Sequence, residues 1–161
     1  LCHDLTEGRF VTVWLGRIDA ASGTLTSLSA GQSPLLAYRA AEGRAEQLGP
    51  DGPPLGIVHD AEWKQGFRTR MQPGDLFLVV SDGIHEAKNE AGDTLGIGRV
   101  RELVETHHAR PAAEFLRILR DVVERWTGGA PADDDRTVLL IRRVPEGSAP
   151  DATGPADRSS A

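Results

Sequence analysis

A chain of 161 residues, 39% of them apolar, can bury one respectable core, which predicts a single domain plus any tails. A net charge of −6 without a basic block argues against nucleic acid as a partner, and the single cysteine, Cys2, excludes an internal disulfide and a cysteine-based zinc site. No apolar run is long enough to span a membrane and no signal peptide is read at the start, so the expectation is a cytoplasmic protein without a membrane partner.

Residues 10–19 alternate as a long strand, with Phe10, Thr12 and Trp14 on one face and Val11, Val13 and Leu15 on the other. Residues 20–23 make a hairpin turn, and residues 24–30 return as a second strand. A tight corner, Ala30-Gly31-Gln32-Ser33-Pro34, leads to a third short strand over 35–38. The stretch 39–60 is rich in glycine, proline and charge and reads as a loop or loose hairpin. It holds a short strand at 45–48 and a rigid Pro53-Pro54 connector. Residues 63–71 alternate as an edge strand. Pro73-Gly74-Asp75 is a turn signal, and the apolar run Leu76-Phe77-Leu78-Val79-Val80 reads as a strand buried on both faces.

Beyond it the period lengthens. A modest helix is predicted over 98–106, carrying Val100, Leu103 and Val104. Pro111 opens a clearer one, at the first helical position, where its missing N–H has no consequence. Phe115, Leu116, Leu119, Val122, Val123 and Trp126 form one apolar stripe, which should pack on a sheet face, and Gly128-Gly129 ends the helix. Residues 137–141 are another buried-strand run. The segment 145–161 has almost nothing to bury and reads as a disordered tail. The pattern is an α+β layered domain of antiparallel sheets and helices.

Two acidic spots stand at strand ends. Asp82 and Gly83 follow the central run, and Asp133, Asp134 and Asp135 precede the last one. If those strands are antiparallel neighbours, the end of one lies beside the start of the other and the carboxylates converge. Converging carboxylates repel unless a cation neutralises them, and oxygen donors favour hard ions such as magnesium or manganese. On spacing alone an Asp-Gly turn beside a solvated acidic loop is an equal alternative. His3, His59, His85, His107 and His108 show no metal spacing with the acids, and His107-His108 is expected at a solvated helix end. No Ser-His-Asp arrangement can be argued.

Phe10-Val11-Thr12, Ala30-Gly31-Gln32-Ser33-Pro34-Leu35-Leu36, Pro73-Gly74-Asp75, Ser81-Asp82-Gly83-Ile84-His85-Glu86-Ala87 and Asp134-Asp135-Arg136-Thr137 occur in an order seen in one family. The chain resembles the metal-dependent (PPM, type 2C-like) serine/threonine protein phosphatases of the SpoIIE/RsbU branch, from about residue 5 to 144. The resemblance implies an α-β-β-α sandwich of antiparallel sheets flanked by helices. It also implies a manganese- or magnesium-dependent phosphatase with two ions. The substrate implied is a phosphorylated protein, of the anti-sigma-factor antagonist type, in bacterial partner-switching signalling. By the same resemblance Asp82 and Asp134 are metal ligands, Gly83 and Asp135 support them, and no catalytic residue is assigned beyond the ligands. Asp133 has no counterpart and falls to the loop.

Two departures stand out. Gln32 replaces the family's usual histidine, where an amide can still hydrogen-bond. The family's first motif, Asp-x-x-Gly-His-Gly/Ala, whose aspartate bridges the two metals, is absent from this sequence. The reading is therefore an N-terminally incomplete domain, residues 1–144 forming its C-terminal portion and 145–161 a tail, with little activity as an isolated chain. A non-catalytic, protein-binding relic of the fold and an unrelated acidic cation-binding β-rich module are the alternatives.

Overall fold

The computed structural model describes residues 9–63, 66–145 and 147; the tail expected over 145–161 lies almost wholly outside the described residues. The first alternating stretch gives β1 (Val13–Asp19), paired antiparallel with β2 (Thr24–Ala30) from Val13↔Ala30 to Asp19↔Thr24. The Asp19 carboxylate fixes the turn between them by accepting the Ser22 N–H at 3.0 Å, and Gly23 supplies φ 68°. That hydrogen bond holds the Asp19 carboxyl below its ordinary pKa. β1 starts three residues later than the alternation predicts, because Val11 pairs only with Leu55, through both its N–H and its carbonyl.

β3 (Leu35–Arg39) and β4 (Arg44–Leu48) form a second hairpin. The edge strand expected over 63–71 shortens to β5 (Arg68–Arg70), paired with β2. Trp63 is engaged elsewhere, its indole N–H donating to the Pro53 carbonyl at 3.0 Å. β6 (Leu76–Val80) and β7 (Val138–Arg142) complete two antiparallel sheets, of order β1-β2-β5 and β4-β3-β6-β7.

Among the described residues three helices follow β6: a single turn, α1 (Asp82–His85), then α2 (Ile97–His107) and α3 (Ala112–Trp126). Pro111 stands one place earlier than expected, at the N-cap of α3, where its carbonyl accepts the Phe115 N–H. The helix stops at Thr127, and Gly128 and Gly129 take the positive φ that the exit requires. Among the described residues no helix is long and apolar enough to cross a membrane.

The period of two explains the core. Leu36 and Tyr38 of β3, and Leu76, Leu78 and Val80 of β6, face the helices and pack with Val100, Val104, Phe115, Leu119 and Val123. Leu35, Ala37 and Phe77 face the other sheet and pack with Leu25 and Met71. Phe77 is the centre of that inner layer, with Trp14 and Phe67 stacked on it at centroid distances of 5.6 and 5.7 Å. The central run is thus buried on both faces, as its composition requires. At the edge, the Glu105 carboxylate of α2 accepts the Ala45 N–H of β4 at 2.9 Å.

The Pro73-Gly74-Asp75 turn does more than reverse the chain. Asp75 is 3% exposed; its carboxylate accepts the N–H groups of Gln72 and Ala40, each at 2.9 Å, and pairs with Arg39 at 3.3 Å. It locks the β3–β4 turn to the start of β6. The His107-His108 pair departs from the solvated end expected of it. Both rings are half-buried, and His108 stacks on Tyr38 at 4.5 Å.

Candidate functional site

The register of β6 against β7 decides where the acids go. Val80 lies opposite Val138, so Ser81 and Asp82 leave one strand just where residues 133–137 approach the other. Ser81 joins the two segments. Its N–H donates to the Thr137 carbonyl at 2.9 Å, its hydroxyl donates to the Asp135 carbonyl at 2.9 Å, and the same oxygen accepts the Thr137 N–H at 2.8 Å.

Gly83 explains itself here. A Cβ at that position would stand 2.4 Å from the Asp135 carbonyl oxygen and 3.0 Å from that of Asp134, so only glycine lets the acidic loop pass this close. Asp82 is the first residue of α1. That single turn is closed by Ile84 N–H to the Ser81 carbonyl at 3.1 Å and Glu86 N–H to the Asp82 carbonyl at 2.8 Å.

Asp82, Gly83, Asp133 and Asp134 line one cleft of about 270 Å³, together with Glu86, Lys88, Asn89, Thr127 and Arg136. Asp135 is not part of its lining; its backbone instead carries the tie to Ser81, and its N–H donates to Asp134 Oδ1 at 2.7 Å. Asp82 Oδ1 accepts the N–H of Gly83 at 3.2 Å. Both carboxylates are exposed at the cleft, and Oδ2 of each makes no hydrogen bond among the described residues. Two exposed carboxylates suit a hydrated hard divalent ion, which keeps several waters and takes one or two protein carboxylates plus substrate oxygens. Among the described residues no group of three or more His, Cys, Asp or Glu side chains is placed to hold a metal by itself.

The corner 30–34 reaches the same strand end. The Gln32 side chain donates from Nε2 to the Val80 carbonyl at 3.0 Å and accepts the Thr12 hydroxyl at Oε1, at 3.3 Å. The amide therefore ties β6, at its last residue, to the segment leading into β1. His85 is half-buried, its Nδ1 3.3 Å from the Ser81 carbonyl, and it is not among the cleft's lining residues.

Sequence reasoning missed Ser81, Lys88 and Arg136. Ser81 could have been suspected from its place between a buried strand and Asp82. Lys88 and Arg136 stand close in sequence to the two acidic spots, yet spacing alone gave them no role.

Comparisons with known proteins bear on the family and the fold. The family model described as Stage II sporulation protein E (SpoIIE) matches residues 1–144. Phosphoserine phosphatase RsbU of Bacillus subtilis is 27% identical over 142 residues, covering 88% of this chain but 42% of that protein. Protein IcfG of Synechocystis is 25% identical, covering 83% of this chain and 21% of its own length, so the chain spans less than half of either relative. The fold matches the SiaA-PP2C domain of Pseudomonas aeruginosa at a TM-score of 0.69, 22% identity and coverage of 81% of this chain and 51% of that one. It matches the RsbU and RsbW domains of Rv1364c from Mycobacterium tuberculosis at the same TM-score, with 24% identity and coverage of 89% and 39%. With its family model spanning almost the whole described chain, and with two antiparallel sheets in the fold of those solved domains, the protein belongs to the SpoIIE family.

Proposed function

We propose that residues 1–144 are the C-terminal portion of a metal-dependent phosphoserine/phosphothreonine protein phosphatase domain, with 145–161 as a tail. The domain acts in the cytoplasm in bacterial partner switching, on a phosphorylated anti-sigma-factor antagonist. Family membership removes the unrelated cation-binding module as a reading. The observation that carries the proposal is the convergence of Asp82 and Asp134 on one cleft, produced by the β6–β7 register.

Asp82 and Asp134 are the side chains that hold manganese or magnesium, and Gly83 and Asp135 support them by fixing the backbone between the two. When bound, divalent ions supply positive charge for the phosphoryl group and activate water near neutral pH. The chain's own contribution is placement. Ser81 fixes the separation of the two acidic segments, Gly83 lets them touch, and Gln32 holds the end of β6. The acidic motif that would complete the metal-binding set in the family is not in this sequence, so little or no turnover is expected of the isolated chain.

Titration calorimetry with manganese tests the ligand assignment. Asp82→Asn should weaken the apparent manganese affinity by about tenfold or more, and equal isotherms for both proteins would remove Asp82 from the site. In a protein extended by the family's first motif, manganese-dependent release of phosphate from a phosphoprotein should appear and vanish with Asp134→Asn. Manganese binding without turnover in that longer protein would leave the non-catalytic, protein-binding reading. Robust turnover by this chain alone, lost with Asp82→Asn, would move the bridging role to another acid such as Asp133.

A further inference from the structure

The lining of the cleft holds four acids, Asp82, Glu86, Asp133 and Asp134, and two bases, Lys88 and Arg136. Neither base forms an ion pair with any of those acids among the described residues. Arg136 carries a sharper anomaly: its Nε is buried and has no hydrogen-bond acceptor among the described residues. A buried guanidinium N–H left without an acceptor is costly, and it is unusual in a cleft whose lining also carries four carboxylates.

Both bases leave backbones that cannot drift. Arg136 lies between Asp135 and Thr137, the two residues tied by the Ser81 hydroxyl. Lys88 sits opposite Thr94 in an isolated antiparallel bridge. The Asn89 N–H donates to the Asp93 carbonyl at 2.9 Å, and the Ala87 carbonyl accepts both the Leu95 N–H and the Trp126 indole N–H. The two cations therefore present themselves from opposite chain segments, one before β7 and one after α1, into a single concavity.

We propose that Lys88 and Arg136 bind the phosphate group of the substrate, a phosphate monoester dianion. Arg136 offers a planar fork suited to two phosphate oxygens, and Lys88 a point charge on an exposed, flexible stem. The acids alone would repel a dianion from this cleft; the two bases give it a landing side that does not depend on which ion the acids hold. The identity of the ligand rests on the phosphatase reading, whereas the pairing of the two bases rests on the cleft itself.

The test is a titration of the full chain with inorganic phosphate, in manganese and again in a chelator, alongside a manganese titration of the same samples. In manganese, Arg136→Gln should weaken phosphate binding about tenfold, Lys88→Gln about threefold, and the double variant by roughly the product, while manganese affinity stays within twofold. Arg136→Lys should recover only part of the loss, because it restores charge without the fork. Lys88 is exposed, so Lys88→Gln keeps the test open should Arg136→Gln melt early. Unchanged phosphate affinity in folded variants that still bind manganese overturns this proposal and leaves the phosphatase reading intact. A wild-type chain that ignores manganese, with phosphate binding in chelator that still drops in the variants, overturns the metal reading and supports this one. Tighter manganese binding in the double variant with no change for phosphate would mean that the bases merely offset the acids, which also overturns it.

Discussion

The two sheets are built from similar strands but live in different surroundings. The four-stranded sheet β4-β3-β6-β7 has helices on one face and the second sheet on the other, and its central strands are almost entirely buried. Among the described residues the three-stranded sheet β1-β2-β5 packs through its inner face, by Trp14 and Leu25; Leu15 on its outer face is 63% exposed. The candidate cleft hangs from the first kind. Asp82 follows β6 and Asp134 precedes β7, so the acids inherit their positions from a sheet fixed on both sides. Besides the apolar packing of Trp14 and Leu25 on Phe77, the corner after β2 adds a polar tie at the site's strand end through Gln32, whose side chain bonds both the Val80 carbonyl and the Thr12 hydroxyl. Placement of the site and completeness of the outer surface are therefore separable properties of this chain.

Substitutions can break that contrast, starting where most is buried. Leu119 is 1% exposed in the middle of the α3 stripe, so Leu119→Ala should lower stability by about 2–5 kcal/mol in urea unfolding. A loss below half a kcal/mol would mean that the helical layer is not what fixes the four-stranded sheet. Next comes the junction itself. Gly83→Ala drives a methyl into the Asp135 carbonyl, and should cost about 1–3 kcal/mol while weakening manganese binding several-fold. Full manganese affinity in that variant would show that the acids do not need the close approach.

A subtler difference is electrostatic. Tyr38, on the helix-facing side of β3, is 2% exposed, and burial together with Glu105 and Asp75 raises its pKa above 10.0. The folded state holds the phenol proton more tightly than the unfolded chain does. This contribution is therefore complete below about pH 10 and is lost as pH climbs through the raised folded value. Tyr38→Phe should flatten the alkaline fall in melting temperature relative to wild type; parallel curves would refute the assignment. The smallest effect belongs to the open face, where Leu15→Ser should change stability by no more than about 0.5 kcal/mol. A loss of several kcal/mol would show that this face is covered in solution.

Much of the architecture was legible because its signals are local. The β2 and β6 bounds follow from alternation and from an uninterrupted apolar run, and the α3 stripe of Phe115, Leu119 and Val123 from helical spacing. What stayed hidden depends on partners distant in sequence. No periodicity can reveal a four-residue turn such as α1. The burial of Asp75 depends on Ala40 and Arg39, more than thirty residues away, and the His108 ring is claimed by Tyr38. At the site, Asp82 and Asp134 could be named from motif and strand order, but the hydrogen bonds by which Ser81 joins their segments depend on the β6–β7 register.

The Glu105 contact with Ala45 has a consequence outside folding energetics. β4 ends its sheet, and an end strand displays unpaired backbone groups to which another extended chain could add. A carboxylate from α2 occupies one of those N–H groups, and Arg44 and Glu46 flank it with charge along the same strand. The helix thus covers part of a border that would otherwise be open to strand addition. Colloidal solubility, more than melting temperature, is the property that a Glu105→Ala chain would surrender.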